Sequence, residues 1–144
     1  AADDGKLIVG VGRAEAVRGY LSLDAFLPAP GQGALALQTR EGDTDHAWVR
    51  ALDDRDTRLA VAAERGAMTA LEGSCRTAVG AHATVAGDTL TLTTEMLAPD
   101  GSARWRGMGQ IALTGPDAES RARSLGLELG QQVHAAAGDQ RVAV

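Results

Sequence analysis

Cys75 is the one thiol in the sequence. It stands in Leu71-Glu72-Gly73-Ser74-Cys75-Arg76, just before a cation and after a helical stretch that carries Arg65. Nearby guanidinium groups lower a thiol's pKa and make available the thiolate, the form that acts as a nucleophile. The competing reading is an inert, small side chain packed in a core. His46 and His82 are both far from it in sequence, so no base is fixed beside it. A single cysteine rules out an internal disulfide, and a thiol kept reduced points to the cytosol. Other chemistries find less support. Gly10-Val11-Gly12 follows an apolar run, but Glu15 occupies the third position of a dinucleotide fingerprint, where its carboxylate would oppose a pyrophosphate. Gly31-Gln32-Gly33 lies in a Pro-rich turn ahead of a strand, the reverse of a phosphate loop's order, and reads as a tight turn. His46, His82, His134 and Cys75 never fall at ligand spacing, so no metal site is expected, and no G-x-S-x-G motif is present.

These residues must be positioned by few elements. The chain has 144 residues, 44% hydrophobic and 23% charged, enough for one domain with its own core. A net charge of -5 and an aromatic content of 3% work against nucleic acid, which needs a positive surface or a stacking platform. The apolar runs, such as Leu7 to Val11, fall far short of the ~20 residues of a membrane span. A soluble cytoplasmic protein is expected. Thirteen of the fourteen basic residues are Arg, a side chain suited to bidentate binding of carboxylates. The start at Ala1-Ala2-Asp3, without Met, suggests processing or a piece of something longer.

Four segments follow from period and punctuation. The first, to about Arg40, holds an apolar run at Leu7-Ile8-Val9, an amphipathic piece from Ala14 to Leu21, the Pro28–Gly33 turn and a strand-like alternation over 34–39. The second, Asp43 to Leu71, reads as helix broken near Asp53-Asp54. Leu59, Ala62, Ala63, Ala67 and Leu71 form its apolar stripe, with Arg55, Arg58, Glu64 and Arg65 mostly off it. The third holds strands at 79–85, 89–97 and 103–113, joined by the turns Gly87-Asp88 and Pro99-Asp100-Gly101. The fourth, 116–137, is a helix with Ala118, Ala122, Leu125, Leu129 and Val133 on one stripe, followed by a frayed tail. Trp48 and Trp105 are expected between helices and sheet. The sum is an α+β fold, a three-stranded antiparallel sheet with helices packed on one face.

The string Leu27-Pro28-Ala29-Pro30-Gly31-Gln32-Gly33-Ala34, read with Ala63-Glu64-Arg65 and Leu71-Glu72-Gly73-Ser74-Cys75, resembles the C-terminal part of the porphobilinogen deaminase (hydroxymethylbilane synthase) family, from about Tyr20 to Leu129. The resemblance implies a three-domain enzyme whose small third domain is α+β. Residues 53–144 would be that domain, and residues 1–52 a remnant of the preceding α/β lobes. It further implies a dipyrromethane cofactor in thioether linkage to Cys75, with Gly73 and Ser74 shaping the attachment loop. Arg65 would face the cofactor or the growing pyrrole chain, and Gln32 would line the cleft or hold its own turn. Porphobilinogen units would be joined head to tail, and the partners would be porphobilinogen, the pyrrole chain and the missing lobes, in a monomeric parent without nucleic acid or membrane. Ser74 stands where the family commonly has a second glycine, and Arg76-Thr77-Ala78-Val79 departs from the family's Q-V-P-I type of run. The family's catalytic aspartate lies in the missing lobes, so no catalytic residue is expected here and these residues alone are expected to be inactive. The alternative from another class is a non-catalytic α+β binding or interaction domain with an inert Cys75. A sheet face left bare by missing lobes could also drive self-association.

Overall fold

Asp54 turns an extended step into a helix: its carboxylate accepts the Thr57 N–H at 2.7 Å, satisfying one of the unpartnered amides of a helix start. The computed structural model describes residues 2–3, 6–8, 19–71 and 78–138. In chain order the elements are strands β1 (Ala2–Asp3), β2 (Lys6–Ile8) and β3 (Tyr20–Ser22), helices α1 (Ala47–Leu52) and α2 (Arg55–Ala70), strands β4 (Val79–Ala86), β5 (Thr89–Leu97) and β6 (Arg104–Ala112), and helix α3 (Ala118–Ala137). The first three strands form one small antiparallel sheet and the last three another, in the order β4-β5-β6. Among the described residues no helix is long and apolar enough to cross a membrane.

Period two puts alternate residues of the larger sheet on opposite faces. Ala81 and Ala83 of β4 pair with Thr94 and Leu92 of β5, which pair in turn with Gly107 and Gly109 of β6. This face carries the core. Leu90 and Leu92 lie under Leu59, Ala63 and Ala67 of α2 and Ala122, Leu125 and Leu129 of α3. Leu71, Met96, Val133 and Ala137 form a second cluster, against which Val79 and Trp105 pack. The two helices cross closely because small residues meet at the crossing: a Cβ placed on Gly66 would lie 2.3 Å from the Arg123 carbonyl oxygen. On the opposite face Arg106 reaches its cross-strand neighbour Glu95 with Nε at 2.9 Å and Nη2 at 2.7 Å from one carboxylate oxygen.

Helices therefore cover one face of a three-stranded antiparallel sheet, as the periodicity implies, and α1 and α2 divide at Asp53-Asp54. Four expectations need correction. Residues 34–39 form no strand: Leu35 is 95% exposed, and among the described residues no neighbouring strand supplies the hydrogen bonds that alternation alone cannot. The end of the amphipathic piece expected over 14–21 is a strand, Tyr20–Ser22 pairing with Lys6–Ile8, since pairing outweighs a weak local period; residues 14–18 lie outside the described residues, as does the stretch after Gly138. Trp48 is 55% exposed, whereas Trp105 is partly buried as expected. Glu64, read as off the packed face, is buried.

Candidate functional site

Pro30 presets the backbone for the second position of a turn and Gly31, with φ of 74°, takes the third, the signature of a type II turn. Gln32 N–H closes it on the Ala29 carbonyl at 3.0 Å, and the Gln32 side chain returns to accept the Ala29 N–H at 3.1 Å. A second turn follows, with Gly33 at φ 91° and Ala34 N–H donating to the Gly31 carbonyl. The Pro-Gly-Gln-Gly stretch is thus a rigid double turn whose Gly31 N–H points away from it.

That amide is received by Glu64. One carboxylate oxygen accepts Gly31 N–H at 2.7 Å and the other accepts Ala83 N–H at 2.8 Å, in surroundings that leave Glu64 6% exposed. Ala83 and Ala81 present the amides of β4 that face away from β5, and Ala81 donates to the Pro28 carbonyl at 2.9 Å. The edge of the sheet is therefore covered by the turn and by a carboxylate, which blocks further strand pairing there. Burial raises the Glu64 carboxyl above its ordinary value, while the Ala83 and Gly31 amides and His82, 3.9 Å away, pull the other way.

Arg65 is the exposed neighbour of Glu64 on α2, and Glu64 is committed to backbone amides, so the two do not pair. Arg65 lines an open groove of about 1060 Å³ between α2, the start of α3 and residues 34–37. Gln32 is exposed and holds its own turn. Cys75, Gly73 and Ser74 lie outside the described residues; the description stops at buried Leu71 and resumes at Ala78. Among the described residues no cluster of His, Cys, Asp and Glu could hold a metal ion. Sequence reasoning missed the bridging role of Glu64. The available signal was its position directly after Ala63 on the packed stripe, where a carboxylate must find donors.

Residues 58–135 match the family described as porphobilinogen deaminase, C-terminal domain. The chain is 51% identical over 129 residues to the porphobilinogen deaminase of Caulobacter vibrioides, covering 90% of this chain and 40% of that protein. It is 57% identical over 113 residues to that of Phenylobacterium zucineum, covering 78% and 35%, and 40% identical over 137 residues to that of Thermobifida fusca, covering 92% and 43%. It thus spans about two fifths of the length of the curated relatives it matches.

Proposed function

The chain belongs to the porphobilinogen deaminase family, whose C-terminal domain it matches, and from that membership we propose that in the whole enzyme it carries a dipyrromethane cofactor as a thioether on Cys75. The supporting observation is the double attachment at Glu64, which ties the Pro-Gly-Gln-Gly turn to the helix that runs on toward Leu71-Glu72-Gly73-Ser74-Cys75. Two of the strings that carry the resemblance, the Pro-Gly-Gln-Gly turn and Ala63-Glu64-Arg65, thereby meet at α2. The described residues suit a group bearing carboxylates, because Arg65 faces an open groove without an acidic partner among the described residues.

When bound, the cofactor supplies the primer to which pyrrole units are added. Cys75 would supply the sulfur: as the thiolate it would form the C–S bond to the methylene of an aminomethyl pyrrole, with the thiol proton passing to the leaving amine, which departs as ammonia. Gly73 and Ser74, the two small residues before Cys75 in the sequence, would leave room for the attached group. Arg65 neutralises pyrrole carboxylates, and Gln32 shapes the turn at the cleft. In this reading residues 53–144 are the cofactor-bearing domain and residues 1–52 belong with the preceding lobes. The partners are porphobilinogen, the growing pyrrole chain and those lobes, in a monomeric cytoplasmic enzyme that engages neither nucleic acid nor membrane. The catalytic groups lie in the other lobes, so these 144 residues alone turn over no porphobilinogen.

Intact mass under denaturing conditions tests the anchor, since a thioether survives denaturation. The protein is expected to carry an excess equal to two linked pyrroles when it is produced together with its lobes, and Cys75→Ala to have the bare mass. An excess that persists in Cys75→Ala would overturn the assignment, as would a bare wild type with full activity.

A further inference from the structure

The two edges of the β4-β5-β6 sheet are unlike. On β4 the outward amides of Ala81 and Ala83 are taken by the Pro28 carbonyl and by Glu64. Outside β6 no strand lies alongside among the described residues. The register between β5 and β6 is unbroken, and it is flanked by Ala98 N–H donating to the Ala103 carbonyl and Leu113 N–H donating to that of Asp88. Odd-numbered residues of β6 therefore bond to β5, and the backbone groups of Arg104, Arg106, Met108, Gln110 and Ala112 point outward. Exposure alternates with the same period along the whole strand.

We infer that β6 is a docking edge for β6 of a second copy of this chain, the two sheets joining antiparallel about a twofold axis at Met108. That register sets Arg104 opposite Ala112 of the other copy, Arg106 opposite Gln110, and Met108 opposite itself. Arginine guards many sheet edges by repelling its like, but here no arginine meets another, and Arg106 is already paired with Glu95. An axis centred on Arg106 instead would oppose two guanidinium groups. On the helix-covered face the Met108 register sets Trp105 opposite Ile111, both partly buried apolar side chains packed against the core clusters, so the apolar layer continues across the axis. Met108, 69% exposed in the single chain, is covered at its centre. Because the β4 edge is blocked, a third copy finds no edge to extend, and the association closes at two. The inference goes beyond the proposed function and does not rest on it. A contact one strand wide belongs with the small interfaces that hold weakly, so half of the chains are expected to pair at about 0.1–1 mM. A more dilute enzyme stays monomeric.

Light scattering and amide hydrogen exchange on the 144-residue chain, over about a hundredfold range of concentration around that value, test the pairing. The scattering mass is expected to rise from one chain to two and stop there. Exchange at the Arg106, Met108 and Gln110 amides should slow by about two- to tenfold over the same range, while Gly107 and Gly109, bonded to β5, keep their protection throughout. In a mixture of isotope-labelled and unlabelled chains, a contact between Hα of Gly107 in one copy and Hα of Gly109 in the other reads the register, because within one strand these residues lie about 7 Å apart. Met108→Lys sets two ammonium groups face to face at the axis and should weaken pairing by about tenfold or more; at so exposed a position it leaves the fold intact. Thr84→Lys adds the same charge at an exposed site on β4, away from this edge, and should pair as wild type does. A mass that stays at one chain, a mass that grows past two, or a Met108→Lys chain that pairs like wild type would each overturn the inference. So would pairing that leaves exchange at the Met108 amide unchanged, a result read on the wild type that depends on no variant.

Discussion

Glu64→Ala is expected to destabilise the domain by about 2–4 kcal/mol, because it leaves two backbone amides, those of Gly31 and Ala83, without their acceptor in a buried place. Against the roughly 5–15 kcal/mol that separates a folded domain from its unfolded chain, this is a large part of the total. Denaturant unfolding measures it, and amide exchange locates it: protection of Gly31 should fall further than that of Leu92 in the centre of β5. A loss confined to the global transition, with Gly31 no worse than Leu92, would remove Glu64 as the tie between turn and sheet.

The pH dependence of the same site has a definite sign. A carboxyl raised on folding holds its proton more tightly in the native state, so the stability it contributes falls as pH rises from its ordinary 4.5 through the raised value. Glu64→Gln carries no titrating group there, and its amide can accept only one of the two N–H groups, at a cost on the order of 1–3 kcal/mol. The stability gap between wild type and Glu64→Gln should therefore be widest near the acid end of that window and narrow toward neutral pH. A gap that widens with rising pH would show that the two amides and His82 outweigh burial.

Gly126→Ala is the second large effect. A Cβ there would lie 2.0 Å from the Ala63 carbonyl oxygen and 2.7 Å from the Ala67 amide nitrogen, both main-chain atoms of α2 that cannot turn aside. Alanine is the better helix former by about 1 kcal/mol, yet the helices must part to admit it, and a net loss of roughly 2–4 kcal/mol follows from overpacking a well-filled contact. The melting temperature should fall by about 8–15 °C. Gly107→Ala supplies the contrast. Its Cβ would meet the Val133 Cγ2 at 3.1 Å, the tip of a side chain that can shift a few tenths of an ångström. A melting temperature for Gly126→Ala at or above that of wild type would mean that α2 and α3 do not cross at this distance.

Both residues show where sequence reasoning stops. Gly126 and Gly130 interrupt a helix whose apolar stripe was otherwise legible, and a glycine inside a helix reads as a weakness until the partner helix is seen. A Cβ on Gly130 would crowd Ala70 and the Ala67 carbonyl, so these glycines are the condition for the contact rather than flaws in the helix. Glu64 stands within the Ala63-Glu64-Arg65 string, yet a charged residue beside an apolar stripe reads as solvated. Nothing local says that a sheet-edge amide and a turn amide arrive together beside it. Residues 34–39 erred the other way. Their alternation is genuine, but a strand exists only where another lies alongside, and among the described residues none does.

By itself the sequence determined the order and type of α2, β4, β5, β6 and α3, because hydrophobic period, N-caps and glycine turns act over a few residues and carry their meaning locally. It also determined the family, through motifs separated by nearly forty residues, the Pro-Gly-Gln-Gly turn and the stretch before Cys75. Only the tertiary structure decided which polar groups find each other: that Glu64 holds the turn to the sheet edge, that Arg58 pairs with both Asp53 and Glu119, and that two helices approach to backbone contact. Hydrogen bonds and ion pairs act over a few ångströms between residues far apart in the chain, so their partners are fixed by packing and leave no periodic trace in the order of residues.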